Sequence, residues 1–313
     1  MKNSWLSPCK LVDNYSIYEY ILIYWITMLE FHKLTLEDKQ HFPKTSRYLA
    51  YNYYYSFARL WEDVIDLSLC KTERALYLKI GQTNRFFMPI TDNLPLAMEE
   101  LEEYCYKTKM PLILEGVTTD QANYLKTSGY TIKRNRDFDD YIYTSEKLIN
   151  LRGRKLQSKR NHISRFEREY TYSIRTMNNP EIRDECYKMA STTWLGNKED
   201  VTKEMTEELS ALKKALDCWD ELNLIGMIIC IDHNLTAFTI GEIIDENMAI
   251  IHFEKGDTSY QGVYSVINQL FCSQYLSDVK YVNRQEDAGV AGLRKAKLSY
   301  KPDLMVEKYK VVQ

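Results

Sequence analysis

The sequence predicts an α/β protein with mixed sheets, built as two domains of one architecture packed against each other. Three observations carry this. A chain of 313 residues exceeds the roughly 250 residues that a single hydrophobic core usually serves. One order of elements (helix, antiparallel strands, helix, strand, helix, strand) runs twice along the chain. Where the two runs meet, residues 148–153 read LINLRG, not a Gly/Ser linker, so the halves should pack together. The expected division is an N-terminal extension at 1–27, a first domain at 28–150 and a second at 151–313, the second carrying the active site.

In the first half, LTLEDKQHF opens a helix with Thr35 as cap and acids in its first turn. YNYYYSFARLW follows as an aromatic-rich helix. ALYLKI and RFFMPI flank GQTN as a hairpin, and PLAMEELEEYCYKT is a helix with proline at its start. PLILEGV is a strand, TTDQANYLKTSGY a capped helix ending near Gly129, and DDYIYTS a strand.

In the second half, KLQSKRNHISRFEREY is helical and TYSIRTM a strand. PEIRDECYKMASTTWL and VTKEMTEELSALKKALDCW are helices. LIGMIICID, LTAFTIGEII and MAIIHFEK are strands separated by polar turns. YQGVYSVINQLFCSQYL is a helix with Val263, Ile267, Leu270 and Phe271 inward, VKYVN a strand, the segment after Gly289 a helix with Leu293 and Ala296 inward, and LMVEKYKVV a last strand.

Composition narrows function. With 45% hydrophobic and 27% charged residues and a net charge of −3, the chain has no global attraction to nucleic acid or acidic membranes, so any basic site must be local. Seven cysteines and five histidines are scattered without CxxC or ligand spacing, which suits a reducing cytoplasm and predicts no metal site. The 25 tyrosines read as core filling. The apolar stretch YILIYWITM at 20–28 is far short of the about 20 residues of a membrane span, and Glu19 and Glu30 interrupt its extension.

Three segments carry candidate chemistry. KLINLRGRKLQSKRNHISRFER, residues 147–168, sets eight bases against Glu167 alone. With Leu156, Ile163 and Phe166 buried on one stripe, Lys155, Lys159 and Arg160 belong to a basic remainder suited to an anion such as an RNA backbone, a phospholipid headgroup or a phosphorylated donor, or else to a solvated face. MAIIHFEKGDTSYQGVYSVINQ places His252 and Glu254 two apart on a strand, so both are expected on one face with Phe253 on the other. The loop with Gly256, Gln261 and Gly262 then leads into a helix whose free N–H groups suit a phosphate. NRQEDAGVAGLRKAKLSYKP puts Arg284 at a strand end, where open sheets bind ligands. Gly289 permits a tight turn there, and Arg294, Lys295 and Lys297 follow as anion holders, or as ion-pair partners of Glu286, Asp287 and Glu307.

The doubled element order resembles the GNAT acyltransferase fold, in tandem. More specifically, HFEK, then Gly262, Tyr264 and Asn268 in YQGVYSVINQ, then VNRQEDAGVAGLRKAKLSYKP, with LRGRKLQSKRNHISRF at the junction, resemble a bacterial family similar to the C-terminal catalytic region of phosphatidylglycerol lysyltransferase. The resemblance covers about residues 28–313 and implies two tandem GNAT-like domains. It implies transfer of an acyl or aminoacyl group from an anionic donor, acyl-CoA or aminoacyl-tRNA, to an amine or hydroxyl, without a tightly bound cofactor. The related Fem-type enzymes transfer from tRNA to cell-wall precursors, so tRNA, a lipid headgroup or such a precursor are the implied partners. Two departures stand out: the coenzyme A loop Q/R-x-x-G-x-G/A survives only as Gln261 and Gly262, and Gln285 stands where the motif carries an acid after the arginine. On this reading Glu254 is the candidate base, His252 its alternate, and Tyr300 the group that protonates the leaving oxygen. A non-catalytic module binding RNA or an anionic metabolite is the rival reading, favoured by the degraded loop.

Overall fold

The computed structural model describes residues 29–196 and 201–313; the expected extension at 1–27 lies outside the described residues. Thr35 and Asp38 form a capping box, but over a 3-10 turn, Leu36–His41. The aromatic run gives a second 3-10 turn, Tyr51–Tyr53, and then α1 (Tyr55–Trp61). The first half continues with β1 (Leu67–Lys71), β2 (Leu76–Ile80), β3 (Arg85–Phe87), α2 (Leu94–Thr108), β4 (Ile113–Thr118), α3 (Thr119–Thr127), β5 (Thr131–Arg134), β6 (Asp140–Thr144) and α4 (Ser145–Asn150). The second half supplies α5 (Gln157–Glu169), β7 (Tyr172–Thr176), α6 (Pro180–Met189), α7 (Lys203–Asp217), β8 (Ile225–Ile231), β9 (Asn234–Asp245), β10 (Met248–Gly256), α8 (Val263–Tyr275), β11 (Tyr281–Asn283), α9 (Ala291–Ser299), β12 (Leu304–Val306) and β13 (Lys308–Val312).

These strands form two mixed sheets, ordered β1-β2-β3-β4-β13-β5 and β12-β6-β11-β10-β9-β8-β7. Each has one parallel pair, β3 with β4 and β10 with β11, joined by a crossover helix, α2 or α8, as parallel neighbours require. Beside the later strand of each pair lies a strand from the other half: β13 runs antiparallel to β4, and β6 antiparallel to β11. The exchange is reciprocal. It divides LMVEKYKVV at Glu307, so that Leu304–Val306 pairs with β6 while Lys308–Val312 pairs with β4 and β5.

Packing follows the same plan. Leu67, Leu69, Leu76 and Leu78 of the first sheet share one core with Ile228, Phe238, Ile240 and Phe253 of the second, closed by residues of α1, α6 and α7. On the other face of the second sheet, α5 and α8 bury Ile163, Phe166, Val266, Ile267 and Phe271 against Met227, Ile229, Ala237, Ala249 and Ile251. Each of the larger side chains (Val, Ile, Met, Phe) contributes about 1.5–3 kcal/mol when fully buried.

Candidate active site

β10 and β11 pair only from Met248–Ile250 to Tyr281–Asn283. Beyond that point they part, and the strap Arg284–Gln285 leaves β11 held by β6: Arg284 N donates to Tyr141 O (3.0 Å) and Tyr141 N to Gln285 O (3.2 Å). The strand borrowed from the first half thus fixes the mouth of the site.

On the other side of β10 the ladder carries a bulge. Ile251 lies opposite Gly241 and Phe253 opposite Ile240, leaving His252 without a partner on β9. One extra residue reverses the alternation of side chains. Phe253 therefore joins Phe238 and Ile240 in the shared core, and Glu254 turns to the α8 face with Thr239 opposite it. The expectation that His252 and Glu254 share a face is corrected accordingly. His252 Nε2 lies 3.1 Å from Glu242 Oε1, and Glu242 also accepts from Ser56 of α1. Glu254 Oε1 instead accepts from Arg284 Nη2 at 2.8 Å, and its Oε2 from Asn268 Nδ2 of α8 at 3.1 Å. The strap straddles β10, because Gln285 Nε2 reaches His252 Nδ1 at 3.0 Å.

Around Glu254 the site is aromatic and cationic. The Arg284 guanidinium lies 4.9 Å from the Tyr300 ring centre and 5.8 Å from that of Tyr143, while Lys159 Nζ of α5 stands 4.0 Å from the Tyr300 centre. Burial works against the charge of Arg284, but Glu254 together with Tyr300, Tyr143 and Cys272 outweighs it, and the guanidinium holds its proton more firmly than usual. For Lys159 the balance goes the other way: burial first, then the Arg284 charge, outweigh the pull of Glu254 and push it down to about 8. Arg284 Nη1, Asn268 Oδ1 and Thr239 Oγ1 are buried beside the Glu254 carboxylate and hydrogen-bond to nothing among the described residues. Such orphans are uncommon in native interiors, and each calls for a partner such as a water or another molecule.

The other expected residues fall elsewhere. Arg294 is a brace, with Nε and Nη2 on Asp287 (2.9 and 2.7 Å) and Nη2 also on Asp137 (2.6 Å). Lys297, expected to point toward an anion, is 8% exposed and donates to the carbonyls of Arg284 (2.6 Å) and Glu286; burial pushes it down to about 8. It takes the inward position expected of Leu293 and Ala296, both of which are exposed. These two carbonyls and the Tyr141 ring, 5.7 Å from Nζ, receive the ammonium there. Lys295 and Lys155 are exposed, and Arg160 is tied to the carbonyls of Leu151 and Gly153. Gly289 makes the expected turn with φ +77°. Gln261 is exposed, and Gly262 starts α8 with φ +94° directly under α5, where a Cβ would lie 2.6 Å from His162 O. Among the described residues no cluster is arranged to hold a metal and no helix is long and apolar enough to cross a membrane. Glu242, Thr239 and Tyr143 were not expected; Glu242 alone had a signal, as an acid inside an apolar strand.

Residues 45–312 match the family model described as phosphatidylglycerol lysyltransferase, C-terminal. Among solved structures, a conserved protein of unknown function from Bacteroides thetaiotaomicron superposes with a TM-score of 0.84 at 31% identity, covering 91% of this chain and 99% of that one. The C-terminal domain of a putative lysylphosphatidylglycerol synthetase from Agrobacterium fabrum gives 0.61 at 15% identity over 82% and 87% of the two chains. FemX gives 0.59 at 9% over 90% and 97%. At such identities the last two speak to the fold, which is the tandem GNAT-like one. With its matched span running nearly the whole length, the chain belongs to the family of the phosphatidylglycerol lysyltransferase C-terminal region.

Proposed function

We propose that the protein transfers an aminoacyl group from aminoacyl-tRNA to an amine or hydroxyl acceptor, at the opening between β10 and β11. The observation that carries this reading is Arg284: buried, permanently charged, oriented by Glu254, with Nη1 unpartnered among the described residues. A fixed donor of that kind suits the oxyanion that forms when an ester carbonyl is attacked, because it needs no reorganisation at the moment of reaction. Family membership supports aminoacyl transfer as the chemistry.

The start of α8 favours tRNA over coenzyme A as donor. A pyrophosphate would have to approach Gly262 where the His162 carbonyl of α5 already sits, and the residues there do not fit that group. The exposed bases Arg152, Arg154 and Lys155 leading into α5 suit a sugar–phosphate backbone. Charged tRNA is a cytoplasmic molecule, which supports a cytoplasmic site of action. A lipid headgroup hydroxyl and the amine of a cell-wall precursor are the two acceptors in view.

The test is to incubate the purified chain with a pool of radiolabelled aminoacyl-tRNAs and, separately, phosphatidylglycerol vesicles or a peptidoglycan precursor, then to extract each acceptor. Label should move to one acceptor, and Arg284→Gln should slow that movement about 100-fold. Tight binding of charged tRNA with no label transferred to either acceptor would favour the non-catalytic reading.

A further inference from the structure

Transfer from an ester requires that a proton leave the acceptor and that one reach the departing 3′-oxygen. The inference that follows rests on the transfer reading above. Glu254 is poorly placed for this work, since both its oxygens are engaged, by Arg284 and Asn268. His252 lies on the opposite face of β10, held by Glu242 and Gln285. Tyr300 is 4% exposed, and burial raises its pKa, so its hydroxyl yields a proton reluctantly.

Lys159 is different. Its Nζ makes no hydrogen bond or ion pair among the described residues and rests against the Tyr300 ring, which it shares with Arg284. It reaches the site from α5, the helix whose leading segment carries the exposed bases assigned to the tRNA backbone. We infer that Lys159 is the proton carrier of the transfer step. Its uncharged amine takes the proton from the acceptor nitrogen or oxygen as that atom bonds to the ester carbonyl carbon. The ammonium then returns the proton to the 3′-oxygen as the carbon–oxygen bond breaks. The products are the aminoacylated acceptor and a free 3′-hydroxyl, and Lys159 ends as it began.

The surroundings suit this role. Facing Lys159 are Arg284 from the strap, Glu254 from β10 and Tyr300 after α9; His162 follows it on α5, and Lys155 lies in the turn just before that helix. Glu254 favours the ammonium but is already paired with Arg284, while burial and the Arg284 charge favour the free amine and bring Lys159 to about 8. A carrier is most effective when its pKa lies near the working pH.

Single-turnover rates measured against pH provide the test. The wild-type rate should rise to a plateau with an inflection near the pKa of about 8. Lys159→Arg keeps the charge and the ring contact but never becomes uncharged in this range. It should lose about 100-fold or more in rate, and the inflection with it, while binding charged tRNA as wild type does. Lys159→Ala should be rescued by added methylamine in proportion to its free-base concentration. An arginine variant that keeps the wild-type rate and inflection overturns the inference, leaving Lys159 an anion contact; an alanine variant that amines do not rescue also counts against it. NMR titration of reductively methylated lysines, assigned through Lys159→Arg, reads the group without turnover. A Lys159 midpoint at the ordinary value of about 10.4 sinks this inference alone, whereas a wild-type chain that transfers nothing sinks the transfer reading as well.

Discussion

Lys308 Nζ lies 2.6 Å from Asp140 Oδ1, and each residue stands on a strand that hydrogen-bonds in the sheet of the other half. Asp140 Oδ2 also accepts from Tyr51 N and Asn283 Nδ2, both at 3.1 Å, and Lys308 Nζ sits 4.4 Å from the Tyr51 ring centre. Taking two charges out of water is expensive, and these added bonds make the pair tolerable. The pair links the starts of the two exchanged strands, and through Asn283 it touches the residue from which the Arg284 strap departs.

Removing one partner should therefore be severe. Lys308→Met leaves a buried carboxylate without its counter-charge and should lower unfolding free energy by about 3–5 kcal/mol. Adding Asp140→Asn, which keeps an acceptor for Tyr51 and Asn283, should restore part of that loss. Urea titration of both variants checks this. A Lys308→Met protein within about 1 kcal/mol of wild type would mean that the pair lies within the small range typical of exposed bridges.

The exchange also forbids independent halves. β13 lies between β4 and β5, and β6 between β11 and β12, so a cut between Asn150 and Leu151 removes an interior strand from each sheet. Fragments 29–150 and 151–313 should each fail to melt cooperatively alone, yet copurify when produced together. A single fragment with a sharp thermal transition would count against this prediction.

Most elements were legible because their periodicity is local; their partners were not. DYIYT and KYKVV announce strands, but nothing in their alternation says that each pairs across the chain. LSLCK and TIKR, which became β1 and β5, are both short; β1 has only Leu67 and Leu69 to mark it, and β5 is largely exposed and carries no hydrophobic signal. The bulge at His252 leaves no local mark for a related reason: alternation along a strand implies a strict two-residue repeat, and one unpaired residue sends Glu254 to the other face. The basic segment after Gly289 misled through its charge. Sequence cannot say whether a lysine points to solvent or, like Lys297, into two backbone carbonyls. The turn at Gly289 and the place of Arg284 at the end of β11 were readable because turn geometry and strand ends each have a local mark.

Arg294 should behave as structure and not as ligand contact. Burial works against the Asp287 carboxylate, but Arg294, the Tyr141 hydroxyl and the Gly289 amide outweigh it and hold its pKa below the ordinary value. A depressed carboxylate stabilises the fold above its unfolded pKa of about 3.9, and that contribution disappears as pH falls through the folded value. Arg294→Gln should thus lower the melting temperature clearly at neutral pH, with the deficit shrinking on acidification below about pH 4. Affinity for charged tRNA should be unchanged. Unchanged melting with weakened binding would return Arg294 to the ligand site.

The buried lysines give stability a rise on the alkaline side. Lys159 and Lys297 each titrate at about 8 in the folded protein and at about 10.4 when unfolded. Below about 8 both states hold the proton, and the fold carries buried positive charge at a disadvantage. Between these values the folded protein releases its protons first, the unfolded chain binds more, and stability climbs with pH. Above about 10 the sign reverses, because burial raises the pKa of tyrosines such as Tyr143 and Tyr264, and the unfolded chain then loses those protons first. Lys159→Met isolates one contribution, since the groups common to both proteins largely cancel in the difference. The variant should melt at or above the wild-type temperature at pH 7, and this advantage should fade as the pH approaches 9.5, where wild-type Lys159 is mostly uncharged. Paired thermal melts across that window decide the matter: a difference that does not change with pH would show that Lys159 titrates in the fold as it does in water, and its place against Tyr300 and Arg284 would then have no bearing on its proton.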